Sequence, residues 1–319
     1  MANFVLPFEA PFVDLQDRVR ELRAAAERDP SLLGQLAALE ESAAVLARDV
    51  FTKLSPIEKV QLARHPMRPY MGDYVSRLCG DLVELSGDRR FADDASIVAG
   101  LATLRGRSVA VVGQQKGRNT KENVRRNFGM PNPEGYRKAD RVYQLADRFG
   151  LPIVTFIDTP GAYPGIGGEE RGQGEAIGAC IHTLSRVRVP VVAVVIGEGG
   201  SGGALALGVA NRVMMLEYAW YSVISPEGGA AILWKDGGRA ADAATQLKLT
   251  APDLLQLGVV ERVIEEPPGG AHQDHARAAA LVGDAVSSAL DELSSLSPDA
   301  LREDRYARFR RLGDAAIAG

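Results

Sequence analysis

The stretch Val191-Val192-Ala193-Val194-Val195-Ile196, followed at once by Gly197-Glu198-Gly199-Gly200-Ser201-Gly202-Gly203-Ala204, decides the fold. Six consecutive apolar and mostly β-branched residues are typical of a strand that is buried on both faces, as in a parallel sheet. The glycine-rich segment predicts a turn into a helix that begins near Gly202. A strand, a turn and a helix in this order indicate an α/β layered domain.

Similar units lie on both sides of this stretch. Apolar runs at residues 96–105 and 108–112 predict a strand pair, and the further strands are predicted at residues 152–157, 190–196, 213–216 and 221–224. Asn132-Pro133-Glu134 opens a helix that Gly150 ends. The α/β pattern runs to about residue 264, and helices are predicted at residues 275–293 and 299–312.

The first 95 residues have a different pattern, which predicts a helical extension. Apolar residues recur at helical spacing from Val13 to Phe51, and Pro30 divides this run, so we expect a helical hairpin used for packing or assembly. Further helical sequence runs to about Cys79. The predicted organisation is therefore a helical extension at residues 1–95 and an α/β domain with C-terminal helices at residues 96–319.

Composition excludes several classes of protein. With 46% hydrophobic and 24% charged residues, the 319-residue chain is of ordinary globular type, and its net charge of -4 gives no reason to expect nucleic-acid binding. Cys79 and Cys180 lack the spacing of a metal site or a disulfide framework, so we expect no metal in this chain. No apolar run reaches the roughly 18 residues of a membrane span, and the N-terminus has no basic flank. We therefore expect a cytoplasmic protein without a membrane partner.

The glycine-rich segment fits three functional motifs. As Gly197-x-Gly199-x-x-Gly202 it matches a dinucleotide fingerprint, with Glu217 at the distance of a ribose-binding acid, which indicates an NAD-binding oxidoreductase. It also places Ser201 in the Gly-x-Ser-x-Gly elbow of a serine hydrolase. As small residues at a helix start, it exposes consecutive backbone N–H groups that form an oxyanion hole. A turn used only for close packing is the structural alternative.

Two other segments are candidates for the same site. A Gly/Pro-rich loop from Asp158 to Gly168 follows the strand predicted at residues 152–157, and loops after successive strands line one crevice in an α/β layer. The stretch from Lys116 to Lys138 carries an excess of basic residues. It is either a solvated loop or a positive surface for an anionic partner or ligand.

The chain resembles the carboxyltransferase alpha-subunit family of bacterial acetyl-CoA carboxylase, in the crotonase-like superfamily. The resemblance rests on strings that run in order over nearly the whole chain, at residues 62–66, 115–118, 125–131, 156–165, 197–204 and 222–228. The chain departs from the family pattern at Gly229, where the family has a cysteine. This departure puts any role for that thiol in doubt.

The resemblance implies a crotonase-like spiral of ββα units behind the N-terminal helical extension. It implies an enzyme that moves a carboxyl group from carboxybiotin to acetyl-CoA and forms malonyl-CoA for fatty acid synthesis. The biotin is held on a separate biotin carboxyl carrier protein. A beta subunit of similar fold carries a zinc ribbon and the coenzyme A site in an α2β2 heterotetramer, and biotin carboxylase belongs to the larger complex.

In terms of this family, Gly202 and Gly203 supply backbone N–H donors on the biotin side. The residues expected to contact carboxybiotin are Gly161, Arg171, Gly199, Gly200 and Ser201. Arg171 is a candidate for steering the carboxylate, with a structural ion pair to Glu169, Glu170 or another residue as the equal alternative. Fixed N–H dipoles suit the reaction because negative charge develops on the ureido oxygen of biotin. The substrate itself can take up the proton, so no histidine or carboxylate dyad is expected.

Overall fold

One eight-stranded sheet forms the centre of the computed structural model, which describes residues 4–313. Residues 1–3 of the predicted helical extension and residues 314–319 of the predicted α/β domain lie outside the described residues. The strands are β1 (Cys79–Glu84), β2 (Ile97–Leu104), β3 (Arg107–Gln114), β4 (Ile153–Thr159), β5 (Val191–Gly200), β6 (Arg212–Leu216), β7 (Trp220–Ser222) and β8 (Arg262–Ile264).

Helices cover the sheet and form both ends of the described chain. They are α1 (Ala10–Ala26), α2 (Leu33–Phe51), α3 (Pro56–Ala63), α4 (Met71–Leu78), α5 (Thr120–Arg125), α6 (Pro133–Phe149), α7 (Ile166–Glu170), α8 (Gln173–Arg186), α9 (Ser201–Gly208), α10 (Pro226–Trp234), α11 (Ala240–Gln246), α12 (Ala251–Gln256), α13 (His275–Leu293) and α14 (Pro298–Arg310). Within residues 4–313, no helix is long and apolar enough to cross a membrane.

The strand order shows how the sheet grows along the chain. β1, β2 and β3 pair antiparallel, and β3, β4, β5, β6 and β8 follow one another in parallel, each added at the same edge. A dinucleotide-binding fold instead reverses its strand order, and the ligand crevice lies at the point of reversal. The order of the described strands contains no such reversal, so the fold contradicts the NAD-binding hypothesis.

Strand β5 is longer than predicted and is buried along its whole length. Its first half pairs with β6, and its last three residues, which begin at Glu198, pair with β7. Gly199 has a partner on both sides, Thr159 and Tyr221. These main-chain pairs hold the glycines in an extended conformation despite their weak preference for strands. The turn predicted directly after Ile196 therefore begins only at Ser201.

Helix α6 shows how sequence signals position the central elements. Pro133 occupies its first turn, and Gly150 ends it in the left-handed conformation with φ 69°. Its buried face packs against α8 and the sheet through Tyr136, Ala139, Val142, Tyr143 and Ala146. Complete burial of one large apolar side chain typically contributes about 1.5–3 kcal/mol, so this face fixes the helix on the sheet.

The N-terminal helical hairpin is present, with α1 and α2 on either side of Pro30. Its seam consists of Val19, Ala26, Leu36 and Ala43. The C-terminal end of α2 packs against the body of the molecule, because Ala47 and Phe51 share a buried cluster with Leu62 and Tyr218. Phe12 of α1 belongs to the same cluster. The buried apolar residues of α2 are thus divided between the hairpin seam and the contact with the body.

Strand β1 lies before the boundary predicted at residue 95 and pairs with β2, so the sheet begins within the segment predicted as a helical extension. The division of the chain at residue 95 stays a prediction. Cys79–Glu84 is an edge strand with mostly exposed residues, so it carries no apolar run that would reveal it. A buried ion pair also ties this region to the sheet. Arg68 donates to the Ile196 carbonyl (2.8 Å) and to both oxygens of Glu266 (2.6 and 2.8 Å).

Candidate active site

Helix α9 begins at Ser201, directly where β5 ends. Ser201 has a left-handed backbone with φ 55°, which turns the chain sharply out of the strand. No described side chain caps this helix, so its first N–H groups are without a capping partner. These groups lie at the positive end of the helix dipole. The turn therefore presents main-chain donors to any ligand that reaches Ser201 and Gly202.

The glycines of this segment differ in what a side chain would meet. A Cβ atom on Gly200 would lie 2.1 Å from the Pro160 carbonyl oxygen, and one on Gly203 would lie 2.6 Å from the Ala162 nitrogen. A Cβ on Gly202 would meet only the side chain of Ile177, at 3.7 Å. Close packing thus requires Gly200 and Gly203, whereas a Cβ on Gly202 would make only an ordinary van der Waals contact.

The two glycine-rich loops meet, as the sequence predicts. The Gly161 carbonyl carbon lies 2.8 Å from the position of a Cβ on Gly203. Gly161 itself has φ 153°, and no described atom lies within 4 Å of its Cβ position. Thr159 Oγ1 holds it from both sides, since it accepts from the Gly161 N–H (3.1 Å) and donates to the Gly161 carbonyl (2.7 Å). The structure therefore brings Gly161 together with Gly200 and Gly203.

A cavity of about 410 Å³ opens beside the start of α9. Ser201 and Gly202 form one wall, and the other walls are mainly apolar, with Leu205, Val223 and Phe309 among them. Such a cavity accommodates an apolar ring or chain next to the main-chain donors.

Five charged side chains form a network beside the loops. Lys116 Nζ lies 2.6 Å from Asp158 Oδ1 and 2.8 Å from Glu198 Oε1. Arg64 joins Glu198 (2.7 Å) to Glu227 (2.7 Å). The carboxylates of Asp158 and Glu198 lie at the ends of β4 and β5, so the network ties these two strand ends together.

The network is not poised for proton transfer. Burial alone would lower the pKa of Lys116, but Asp158 and Glu198 raise it above its usual value. Burial alone would raise the pKa of Glu198, but Lys116 and Arg64 lower it. A general acid or base needs a pKa near the working pH. Lys116 and Glu198 therefore keep their charges near neutral pH and act as supports.

Internal contacts hold most of the basic side chains in the stretch from Lys116 to Lys138. At these positions the stretch is therefore neither a solvated loop nor a free positive surface. Lys138 is fully buried, with its Nζ 2.6 Å from Asp93 Oδ1. Arg118 donates to the carbonyls of Pro66 (2.9 Å) and Arg68 (2.8 Å). Internal contacts also hold Lys116, Arg126 and Arg137. Most partners lie 31 or more residues away in the chain, so local sequence does not reveal them.

Arg171 forms an ion pair, which is the structural alternative to a role in steering the substrate. Its partner is Glu134, and not Glu169 or Glu170. Its Nε donates to Glu134 Oε1 (2.7 Å), and its Nη2 lies 3.4 Å from Asn132 Oδ1. The hydrogen bond to Glu134 raises the pKa of Arg171. Steering of a substrate carboxylate by Arg171 remains a prediction.

Ser201 has no base for nucleophilic catalysis among the described residues, because no hydrogen bond there joins its hydroxyl to an imidazole. His275 Nε2 contacts the Met67 carbonyl (2.7 Å). His65 and His272 lie with Glu9 in a separate buried cluster. The serine hydrolase hypothesis thus lacks the activated serine that it requires.

Glu9, His65 and His272, which we call the N-terminal clasp, have the composition of a metal site, with ligand atoms within 4.8 Å of one another. The hydrogen bonds argue against one. The Met67 N–H donates to His65 Nδ1 (3.1 Å), so the proton of the neutral ring lies on Nε2, which faces Glu9 Oε1 (3.3 Å). A metal would need the lone pair of that same nitrogen.

Glu9 is the charged member of the clasp. Its Oε2 lies 3.0 Å from His272 Nε2, and its Oε1 accepts from the Leu6 N–H (2.7 Å). Burial alone would raise the pKa of Glu9, but hydrogen bonds from His272, His65 and the Leu6 N–H lower it to about 2. The carboxylate therefore holds the start of the described chain against two distant segments.

Solved structures of other proteins share this fold. Transcarboxylase 12S with bound methylmalonyl-coenzyme A is 22% identical, with a TM-score of 0.57 over 70% of this chain and 41% of that chain. A Pseudomonas malonate decarboxylase hetero-tetramer in complex with coenzyme A is 18% identical, with a TM-score of 0.61 over 77% of this chain and 95% of that chain. The chain therefore shares the fold of these proteins, and the predicted crotonase-like α/β fold class is confirmed.

The chain belongs to the acetyl co-enzyme A carboxylase carboxyltransferase-like family, whose model matches residues 5–313. A relative from Sorangium cellulosum, acetyl-coenzyme A carboxylase carboxyl transferase subunit alpha, is 65% identical over 98% of this chain and 99% of its own length. The relative of the same name from Thermus thermophilus is 56% identical over 97% and 98%. The resemblance described from the sequence is confirmed.

Proposed function

We propose that this chain works with a beta-type subunit to move a carboxyl group from carboxybiotin to acetyl-CoA, which forms malonyl-CoA. The relatives that match almost its whole length carry the name of the carboxyl transferase alpha subunit of acetyl-coenzyme A carboxylase. The observation that supports this reaction best is the start of α9, whose N–H groups lack a side-chain cap among the described residues and border a mainly apolar cavity.

The N–H groups of Gly202 and Gly203 are assigned to the ureido oxygen of biotin. Negative charge develops on that oxygen as the carboxyl group leaves, and aligned N–H dipoles at a helix start stabilise it without reorganisation. Carboxybiotin supplies the carboxyl group and, after transfer begins, a basic ureido group that can take the proton of the acetyl methyl group. This chain then needs no base of its own, which agrees with the permanently charged Lys116 and Glu198.

The other predicted contact residues take different roles in this proposal. Ser201 lines the cavity and contacts carboxybiotin through its backbone, and Gly161 shapes the facing loop. Gly199 and Gly200 serve the site through packing, because side chains there would collide with Tyr221 and Pro160. Arg171, held by Glu134, supports the segment that follows the Gly161 loop.

The remaining half of the reaction is assigned to partners. A beta subunit provides the coenzyme A side and its zinc ribbon, in an α2β2 complex, and the biotin carboxyl carrier protein and biotin carboxylase complete the system. Exposed apolar side chains at Val223, Ile232 and Leu233 are suited to a partner surface. The structural relative malonate decarboxylase is itself a hetero-tetramer.

Reconstitution tests this proposal. Malonyl-CoA formation from carboxybiotin is measured with this chain alone, with a beta-type subunit alone and with both, and only the pair should be active. A parallel assay with propionyl-CoA compares the acyl substrates. An inactive but assembled pair would overturn the proposed reaction, and activity of the chain alone would overturn the divided site. NAD-dependent activity of the lone chain would favour the dinucleotide hypothesis.

A further inference from the structure

Gln114 contacts the main chain of both loops that form the site. It is the last residue of β3 and is fully buried. Its Nε2 donates to the Gly203 carbonyl (3.1 Å), and its Oε1 accepts from the Asp158 N–H (3.0 Å). A single side chain at the end of β3 is thus hydrogen-bonded both to the first turn of α9 and to the end of β4.

The contact with Asp158 lies where the regular pairing of the sheet stops. The last paired residues between β3 and β4 are Gly113 and Phe156. On the other side of β4, the register to β5 shifts between Ile157 and Thr159. The Asp158 N–H therefore lacks a ladder partner, and the Gln114 amide satisfies this buried donor instead.

The contact with Gly203 acts on the orientation of α9. The Gly203 carbonyl belongs to the first turn of that helix, two residues after its first residue, Ser201. A donor fixed on this carbonyl resists rotation of the turn, and so it holds the aim of the N–H groups at Gly202 and Gly203. Glutamine suits the position because its amide provides a donor and an acceptor at the same reach. Methionine has no donor and only a weak acceptor, and ionised glutamate has no donor.

We infer that Gln114 is a positioning residue, which aligns the oxyanion-stabilising start of α9 with the Asp158 loop. This inference rests on the proposed function. Small displacements of a preorganised donor from its target weaken transition-state stabilisation far more than ground-state binding. Loss of the Gln114 contacts therefore lowers turnover and leaves the affinity for acetyl-CoA nearly unchanged.

The test compares Gln114→Met with Gln115→Met in the complex with a beta-type subunit. Gln115 is a matched control, because it bonds the Gly72 N–H (2.8 Å) and the Lys116 carbonyl (2.8 Å) and neither loop. Gln114→Met should lower kcat by roughly 10- to 100-fold. Its KM for acetyl-CoA should stay within about twofold, and Gln115→Met should leave both constants near those of the unmodified pair.

Gln114→Glu gives a second measurement for the case in which methionine impairs folding. A buried carboxyl group favours its protonated form, which has one donor and one acceptor as the amide does. The kcat of Gln114→Glu relative to the unmodified pair should therefore rise as the pH falls. A flat ratio across the pH range would contradict the inference.

Hydrogen exchange separates the contact from the reaction. Gln114→Met should speed amide exchange in the peptides that cover residues 157–163 and 200–208, relative to Gln115→Met. Unchanged exchange together with normal turnover in an active pair would overturn the role of Gln114 alone. Failure of the unmodified pair to transfer a carboxyl group would overturn the proposed function, and with it any role of Gln114 in that reaction.

Discussion

The N-terminal clasp of Glu9, His65 and His272 contrasts with the glycine segment at residues 197–204. The clasp has reactive side chains but a structural role, whereas the glycine segment forms the proposed site through its main chain. The clasp gathers three buried side chains of the types that serve in catalytic triads and metal sites. Its hydrogen bonds, together with those from the Leu6 and Met67 N–H groups, join three distant parts of the chain. The glycine segment has no histidine, and yet it presents the donors on which the proposed reaction depends.

This contrast teaches that the charge to be stabilised decides which groups a site needs. An oxyanion that appears only in the transition state is stabilised by fixed dipoles, which the main chain supplies at a helix start. Titratable side chains are then free for structural tasks, and burial with paired partners keeps them in one charge state.

The largest effect is expected for Gly203→Val. The new Cβ would lie 2.6 Å from the Ala162 nitrogen and 2.8 Å from the Tyr136 hydroxyl, so the backbone of the facing loop would have to move. Overpacking of this kind costs about 3 kcal/mol or more, which lowers Tm by roughly 5–10 °C. Calorimetry measures the fall in Tm, with Gly178→Val as the control. Gly178 lies in a helix, and no described atom lies within 4 Å of the position of its Cβ. Equal Tm values would show that the two loops do not pack through Gly203.

A smaller, pH-dependent effect is expected from the clasp. The folded pKa of Glu9, about 2, lies below its usual value of 4.5. Its stabilising contribution is therefore complete above about pH 4.5 and is lost as the pH falls towards 2, with a total of up to about 3 kcal/mol. Glu9→Gln should be less stable at pH 7 and should lose less stability on acidification.

Urea unfolding at several pH values between 7 and 3 measures this difference. Glu21→Gln, an exposed glutamate on α1, serves as the control and should keep the pH dependence of the unmodified chain. If Glu9→Gln shows the same acid sensitivity as the control, the clasp does not contribute the stability assigned to it.

The smallest effect is expected for Ser201→Ala. The proposed reaction uses the backbone at this position, and no imidazole among the described residues activates the hydroxyl. Turnover of the complex should therefore remain within about twofold, provided that alanine tolerates the left-handed turn at φ 55°. Covalent labelling of native Ser201 by a fluorophosphonate would instead support the hydrolase hypothesis.

Sequence patterns predict the elements that depend on local signals. Pro30 and helical spacing predict the hairpin of α1 and α2, and Pro133 with Gly150 predicts α6. Edge strand β1 is missed because its exposed residues resemble a polar helix end or a loop. The extension of β5 through Gly200 is missed because two neighbouring strands, and not the glycines themselves, impose the extended conformation.

The sequence predicts only the part of the site that depends on local motifs. Motifs place the two glycine loops at adjacent strand ends, and they do meet. The partners of Lys116 and the contacts of Gln114 remain hidden, because they lie 42 to 89 residues away in the chain. A polar Gln-Gln-Lys run at the end of a buried strand is the one local signal that could direct attention to them.

Gly202→Val tests most directly the claim that the start of α9 stabilises the developing charge. A side chain there meets only Ile177 at 3.7 Å, so the variant should fold and assemble, and it adds bulk beside the donors at the wall of the cavity. Steady-state kinetics of the assembled complex are compared with those of Gly178→Val. Turnover should fall by about 10²- to 10³-fold, roughly 2.7–4 kcal/mol, with little change in the KM for acetyl-CoA. Near-normal carboxyl transfer by a folded and assembled Gly202→Val complex would contradict the claim.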